Sequence, residues 1–283
     1  MKKIFTLLSF VFFSLFVVAQ TETKKSIDDL FLKKEETKAI PHIRKYLLWG
    51  VGYEFATPQG KMNNGMSNAH GISIFGGVPL NFISKNLLAS VNLNYGLYGF
   101  NKFGINYTQN SNYINTSITY SSSITQAGLG LQYILKPESK LQPYLIAKAG
   151  YTYFSSDFTV SDPRDIDACR ALENENIISD ATYYYGYGLG VRLLLGEPSN
   201  KSRDFLNLSF EKINGGEIDY VNVNSLHDHN APQQTSNGGK PVNITFVNAS
   251  SQNTHQHKIA EQFTNPLNML QIKVSYTKYF SIR

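Results

Sequence analysis

Alternation with a period of two residues is the feature that most constrains what this chain of 283 residues can fold into. Four segments show it clearly: apolar or aromatic side chains hold every second position, and glycine or small polar side chains hold the positions between. These segments are 47–55, 145–154, 183–195 and 270–277. Because successive side chains of a β-strand point to opposite faces, each segment predicts a strand with one apolar face and one small or polar face.

Four weaker segments with the same period fill the gaps between the clear ones. They are 69–78, 87–98, 118–135 and 204–214. The total of eight strands is an even number, as a closed bacterial barrel requires. A soluble β-sandwich alternates in the same way, so the strand count alone leaves both folds open.

The charged residues distinguish the two folds. In a soluble sandwich the polar face meets water and carries many charges, whereas here that face is rich in Gly, Ser and Asn. Its five charged residues are predicted to form a cluster inside a barrel lumen: Glu54, Lys148, Arg192, Glu211 and Lys273. A charge on the opposite face would cost about 2–4 kcal/mol at the midplane of a membrane. The central positions of that face carry none, so we expect it to contact lipid.

Aromatic residues and connection lengths follow strand direction. If the first strand runs toward the outer surface, Tyr53, Tyr95, Tyr151 and Tyr183 all fall on one girdle at the outer rim. Short connections near 79–86, 136–142 and 196–203 alternate with long ones near 57–68, 100–116, 156–181 and 222–264. These patterns predict an all-β fold: a closed antiparallel up-and-down transmembrane β-barrel of about eight strands, with short periplasmic turns and long extracellular loops.

The N-terminus has the pattern of a secretory signal peptide. Lys2 and Lys3 precede the apolar run Ile4–Val18, and a small-residue cleavage site ends at Ala19. The run is shorter than the roughly 20 residues that a membrane-spanning helix needs. The predicted parts are a signal peptide at 1–19, a periplasmic N-terminal extension at 20–45 and an outer-membrane β-barrel at 46–283. Cleavage removes two lysines and lowers the formal net charge from +5 to +3, which is too mild to predict a nucleic-acid partner.

Three glycine- and aromatic-rich segments carry a family resemblance, together with the signal ending at Ala19-Gln20. They are 128–133 (Gly-Leu-Gly-Leu-Gln-Tyr), 185–191 (Tyr-Gly-Tyr-Gly-Leu-Gly-Val) and 274–280 (Val-Ser-Tyr-Thr-Lys-Tyr-Phe). Residues 46–283 thereby resemble the small outer-membrane β-barrel (porin-like) family of Gram-negative bacteria. The resemblance implies location in the cell outer membrane, contact with its lipids and lipopolysaccharide, assembly by the barrel-assembly machinery, and a monomer. Family members often end on an aromatic residue, so the expected assembly signal lies at Phe280.

The predicted lumen is filled. An eight-stranded barrel is only just wide enough for its own side chains, and Tyr98, Phe154 and Tyr184 fall in the inward phase. This favours a structural or surface-interaction role through the extracellular loops. A narrow porin-like channel for small solutes is the first alternative. An enzyme acting on outer-leaflet lipids is the second, with His70 near the outer rim, but no spacing singles out catalytic residues or a cofactor site.

The longest predicted loop, 222–264, leaves room for an extra hairpin and carries the candidate metal ligands. His227 and His229 form one pair with i, i+2 spacing, and His255 and His257 form another. Imidazole binds Zn, Cu or Ni well, but the same residues also fit a polar surface loop without metal. The acidic segment 157–180 is predicted to be a solvated loop with a short helix around 165–172.

Overall fold

The computed structural model describes residues 46–109, 112–161, 171–196, 202–223, 239–247 and 254–281. The predicted signal peptide at 1–19 and extension at 20–45 lie outside these ranges and stay predictions. Within the described ranges, no helix is long and apolar enough to cross a membrane.

Nine antiparallel strands make up almost all of the described chain. They are β1 (Tyr46–Pro58), β2 (Ala69–Pro79), β3 (Leu87–Gln109), β4 (Asn112–Ile134), β5 (Leu141–Ser161), β6 (Ala171–Leu195), β7 (Ser202–Val221), β8 (Lys240–Val247) and β9 (Thr254–Ser281). Each of β1 to β6 pairs with the next, β7 pairs with β9, and β9 pairs back with β1. Eight strands therefore close a barrel, which confirms the predicted fold.

The two chain ends of the barrel meet at the end that carries the short turns. Tyr46 lies opposite Ser281, and β2 and β4 each return through a short connection to the next strand. After β6 the chain turns at Gly196, whose φ of 70° is a left-handed conformation that glycine adopts at little cost. We call this the short-turn end and the opposite end the outer end.

The outward face of the barrel forms an apolar belt. Its exposed side chains include Val91, Leu129, Leu145, Leu189 and Val274. Monomers in water rarely expose apolar patches larger than a few hundred Å², whereas a belt of this kind flanked by aromatic girdles is the mark of a barrel in lipid. The lipid-facing phase predicted from the alternation is therefore confirmed.

Aromatic side chains and the few outward charges lie at the edges of this belt. Tyr53, Tyr95, Tyr151 and Tyr183 are exposed toward its outer end. Toward the short-turn end, Lys278 forms an ion pair with Asp204 (Nζ–Oδ1 3.8 Å), and its ammonium lies over the Phe280 ring. A lysine near the membrane surface can reach polar headgroups in this way.

The strands are much longer than the alternation predicted. Those from β3 to β7, and β9, have 20 to 28 residues, about twice the roughly 9–11 that a tilted strand needs to cross a membrane. Most of the predicted long loop 100–116 is a continuation of the β3–β4 hairpin. Beyond the lipid the outward face carries polar side chains, whereas buried apolar ones such as Tyr120 and Phe158 lie on the inward face. The contrast between an apolar outward face and a small or polar inward face, which identifies the lipid-spanning segments, is therefore lost there although the backbone pairing continues.

Two further predictions concern the outer segments. The segment 157–180, predicted to be a loop, is strand at both ends, because β5 extends to Ser161 and β6 begins at Ala171. Of the helix predicted around 165–172, residues 165–170 lie outside the described ranges, and only Ala171 and Leu172 are seen, as strand. The predicted loop 222–264 contains β8 and the first part of β9, which form a hairpin with Val247 opposite Thr254. This is the extra hairpin for which the sequence leaves room, and β8 is the strand that it adds to the eight of the barrel.

Candidate functional site: the filled lumen

The five predicted lumen charges all lie inside the barrel. Their relative exposures range from 2% to 7%, because each occupies the inward phase of its strand. The structure does not bring them together as one cluster. It separates four charges near the middle of the lumen from Arg192 near the short-turn end.

Two ion pairs form the central group. Glu54 and Lys273 are direct cross-strand neighbours in β1 and β9, and their Nζ and Oε2 atoms are 3.4 Å apart. Lys148 of β5 forms a second ion pair with Glu211 of β7. Two cations and two carboxylates leave this group without net charge, which is the arrangement that makes buried charges tolerable.

The Lys148–Glu211 pair depends on the strand between its partners. In β6, Gly186 lies opposite Lys148 and Gly188 lies opposite Glu211. Glycine has no side chain to block the approach, so the two charged side chains meet across β6. A Cβ added at Gly188 would collide with the carbonyl oxygen of Phe210 and would lie 2.8 Å from the Cα of Glu211.

Neutral polar side chains surround the ion pairs. The amide of Gln271 donates to Oε1 of Gln126 (2.7 Å), and Asn94 donates to the same oxygen (3.3 Å). The Ser209 hydroxyl donates to Oε1 of Glu211 (2.8 Å). Hydrogen bonds inside a low-dielectric lumen are stronger than in water and lock side chains in place.

Arg192 lies in an aromatic cage. Its guanidinium carbon is 5.1, 5.9 and 5.8 Å from the ring centroids of Tyr144, Phe205 and Tyr279. It also donates hydrogen bonds to the Tyr279 hydroxyl and to Oε1 of Gln132. Cation–π contacts of this kind strengthen when the cation is removed from water, so the cage fills the short-turn end of the lumen.

An apolar group, which we call the mouth cluster, fills the outer end. It contains the predicted inward residues Tyr98, Phe154 and Tyr184. Its other members are Ala56, Met62, Met66, Ala69, Ile124, Ile213, Ile218, Tyr220, Phe263, Leu267 and Met269. The β1–β2 connection supplies Met62 and Met66 from in and next to a short 3-10 turn, Gly60–Asn64.

The end of β7 was missed by sequence reasoning. The register of β7 shifts between Asn214 and Glu217, after which Tyr220, Val221 and Val223 are completely buried. The Val221 carbonyl accepts from the Ser122 hydroxyl (3.4 Å) and the Val223 carbonyl from the Asn101 amide (3.3 Å). Through these contacts with β4 and β3, the end of β7 lies across the outer end of the lumen.

A sequence signal for this arrangement existed. Gly215 and Gly216 interrupt the β7 pattern, and a glycine inside a strand often marks a bulge.

Two small cavities lie in the lumen among the residues that the structure describes. One cavity of about 20 Å³ lies between the central ion pairs and the Arg192 cage. A second, of about 10 Å³, lies beside Glu54, Asn94 and Gln126. A single water molecule needs about 10–15 Å³, so each holds one water at most.

The histidine pairs stay a prediction. His227 and His229 lie outside the described residues. His255 and His257 are part of the β9 backbone, but their side chains lie outside what the structure describes. In the described part of the chain, no group of three or more His, Cys, Asp or Glu side chains could hold a metal ion. Zinc titration of the full chain against a variant with all four histidines replaced by alanine tests the idea.

His70 lies on the outward face near the outer girdle, as its phase predicted. Its Nδ1 is 2.5 Å from the Tyr53 hydroxyl, and its ring centroid is 5.0 Å from that of Phe55. These contacts anchor the imidazole among aromatic side chains of the girdle.

No protein-family model matches the sequence, and no curated protein sequence matches it. Among solved structures, the chain is similar to Neisserial surface protein A (11% identity, 84% of this chain and 97% of that chain, TM-score 0.38). It is also similar to Ail, the attachment invasion locus protein of Yersinia pestis (9% identity, 83% and 99%, TM-score 0.39). A third is a major outer membrane protein from Thermus thermophilus (11% identity, 83% and 99%, TM-score 0.35).

Likeness at these levels carries no argument about function. The strand order, closure and apolar belt of the chain itself carry the classification. By these features, the protein is a closed eight-stranded antiparallel β-barrel with an outward apolar belt of the kind that barrels present to lipid.

Proposed function

We propose that this barrel does not conduct solutes and that it acts as a structural or surface-interaction protein of the outer membrane. The observation that carries the proposal is the filling of the lumen at three successive levels. Arg192 and its aromatic cage lie at the short-turn end, the two ion pairs at the middle and the mouth cluster at the outer end.

A conducting path would have to disrupt all three levels. At the middle level, separating Lys148 from Glu211 would leave buried charges without partners, which costs several kcal/mol. At the outer level, Tyr220 and Met62 would have to leave a packed apolar cluster. A protein that binds its partners on the outward face of the barrel needs neither change, because its lumen can stay filled.

The extent of that wall supports the second half of the proposal. Because β3 to β6 and β9 continue well past the lipid belt, a paired sheet stands above the membrane surface. A paired sheet holds its side chains in fixed positions, which suits recognition better than an unpaired loop does.

Single-channel recording in planar bilayers tests the proposal. We expect no discrete openings from the purified, folded full-length barrel. The matched comparison is a variant that carries Lys148→Met and Glu211→Met, which changes the lumen and leaves the exterior unchanged. Stable openings by the original chain, with an ion selectivity that this variant alters, would show that current passes through the lumen and would establish the narrow channel instead.

A further inference from the structure

The outward face of three neighbouring strands changes chemistry directly above the lipid belt. On β4, β5 and β6 the exposed apolar and tyrosine side chains give way to small hydroxyl, amide and carboxylate groups. Two cross-strand rows define this region, which we call the hydroxyl-amide face: Ser123–Ser155–Ser179 and Ser121–Asp157–Asn176.

This face is continuous with the lipid-facing surface. The next row toward the membrane is Thr125–Tyr153–Ala181, and the one below it pairs Tyr151 with Tyr183. These tyrosines belong to the outer girdle, which lies at the level of the lipid headgroups. A lipid packed against the girdle therefore has its headgroup beside the two rows.

Hydrogen bonds hold the polar groups of the face in a fixed arrangement. The Asn176 amide donates to Oδ1 of Asp157 (2.7 Å) and to the Ser155 hydroxyl oxygen (2.9 Å). The Ser155 hydroxyl donates to Oδ2 of Asp157 (2.9 Å). A carboxylate has about four lone-pair sites, so Asp157 keeps capacity for further donors while its position is set.

The chemistry of the face matches a saccharide better than a phosphate. A carboxylate, an amide and several hydroxyls within two rows offer both donors and acceptors to neighbouring sugar hydroxyls. The six defining residues include one anion and no cation, so the face lacks the Arg or Lys that phosphate recognition uses. In the described part of the chain, Lys102 of β3 lies at the margin of the face, opposite Thr119.

We propose that the hydroxyl-amide face binds the saccharide headgroup of the glycolipid in the outer leaflet, the core sugars of lipopolysaccharide. The proposal rests on the surface-interaction role given above and names its ligand class and its site. The occupant follows from position, because the face begins where the lipid belt ends on the same three strands. The sugar of a neighbouring lipid thus reaches Asp157 and Asn176 without leaving the membrane.

The experiment measures how much lipid the full-length folded barrel retains, by native mass spectrometry. The protein is presented in turn with lipopolysaccharide that carries its core sugars, with lipid A that carries phosphates but no core, and with phosphatidylethanolamine. We expect about tenfold preferential retention of the core-bearing form, equivalent to about one or two net hydrogen bonds. Retention should change little with salt, because sugar hydroxyls are uncharged.

Two variants test the site itself. Asp157→Ala with Asn176→Ala should abolish the preference for core sugars, and Ser123→Trp should do so by obstructing the face. The matched control is Lys85→Ala with Lys140→Ala, which truncates two exposed side chains at the short-turn end and should retain the preference. The heat-dependent gel mobility of folded barrels verifies that each variant is folded, and the tryptophan variant serves if the double alanine variant does not fold.

Equal retention of the core-bearing form by the control and by a folded site variant would overturn the proposal. Equal retention of lipid A, lost as salt rises, would overturn it in favour of phosphate recognition. Conductance of the same samples separates the two proposals: a non-conducting barrel without sugar preference contradicts only this one, whereas a conducting barrel contradicts the proposed function.

Discussion

The charged residues of the lumen affect stability differently when they are replaced singly and when they are replaced in pairs. Buried charges destabilise a protein unless each is paired, and replacing a whole pair by apolar side chains is often neutral or stabilising. Lys148 and Glu211 are nearly inaccessible to solvent, and they meet only because glycines lie between them in β6. The stability of the barrel therefore depends on whether both charges of this pair are present or both are absent.

We expect Lys148→Met to lower the free energy of unfolding by about 3–5 kcal/mol, because it leaves the Glu211 carboxylate buried without its cation. Adding Glu211→Met should recover most of that loss. Urea titration of the barrel in detergent micelles or lipid vesicles measures both effects, and Lys85→Ala at the exposed turn is the control. A single variant as stable as the original chain would show that the pair is not energetically coupled.

Two strands, β7 and β9, determine the structure at the two ends of the barrel. Beyond Gly215, β7 no longer pairs with β6 but stays paired with β9. Its last residues cover the mouth, where Tyr220 donates to the Met62 carbonyl (3.4 Å) and stacks on Phe263 with centroids 5.8 Å apart. The last residues of β9 close the barrel against β1 and carry the outward Phe280. The key aromatic residue of the first arrangement, Tyr220, is buried, whereas that of the second, Phe280, lies on the outward face.

Tyr220→Ala should destabilise the barrel by about 3–5 kcal/mol, as expected for loss of a buried aromatic side chain. Tyr220→Phe keeps the ring and should cost only about 1 kcal/mol, the net value of its hydrogen bonds. Denaturant titration measures both. Neither variant should conduct ions, because the ion pairs and the Arg192 cage remain in place. Discrete openings in the alanine variant would mean that the mouth cluster alone closes the lumen.

Phe280→Ala should reduce the amount of folded barrel in the outer membrane several-fold, if this aromatic is the signal that the assembly machinery reads. The spontaneous refolding of the purified chain into detergent should be unchanged, because Phe280 lies on the outside and packs little. Heat-dependent gel mobility of membrane fractions and of refolded protein gives the two readouts. Phe210→Ala, at another exposed aromatic position, is the control, and equal losses in both variants would contradict a special role for Phe280.

At the scale of the whole molecule, two solvents act on one continuous sheet. Lipid selects apolar side chains for the outward face over about 9–11 residues of each strand, and water or lipid headgroups accept polar ones above. The change occurs at the same level on neighbouring strands, because the register places Tyr151 beside Tyr183 and Ser155 beside Ser179. The level at which outward side chains change from apolar to polar therefore marks the membrane boundary on the sheet.

Leu129→Arg tests that position. Leu129 is among the most exposed side chains of the belt, and an arginine there should cost about 2–4 kcal/mol at the bilayer midplane. Thr119→Arg, in the same strand and outward phase but above the belt, should cost about 0–1 kcal/mol. Reversible unfolding from lipid vesicles measures the difference. Equal costs at the two positions would contradict the proposed boundary.

The sequence by itself determined which side chains face lipid and which face the lumen. A period of two fixes the phase of a strand, and the cost of a charge in lipid fixes which phase points outward. Both are local properties, so Glu54, Lys148 and Tyr98 could be assigned inward positions without knowledge of their partners. The outer parts of β3 to β6 escaped this reasoning, because above the lipid the outward side chains are polar and inward ones such as Tyr120 and Phe158 are apolar and buried, so the contrast that marks a lipid-spanning strand is lost.

Only the tertiary structure decided which inward groups meet. Lys148 pairs with Glu211 across β6, Arg192 lies apart in its cage, and the end of β7 turns in to cover the mouth. Those contacts depend on the relative registers of strands that are distant in sequence, and alternation along one strand carries no information about them. Whether a side chain points inward or outward is determined by its own strand, whereas the residue it contacts is determined by how the strands are arranged in the closed barrel.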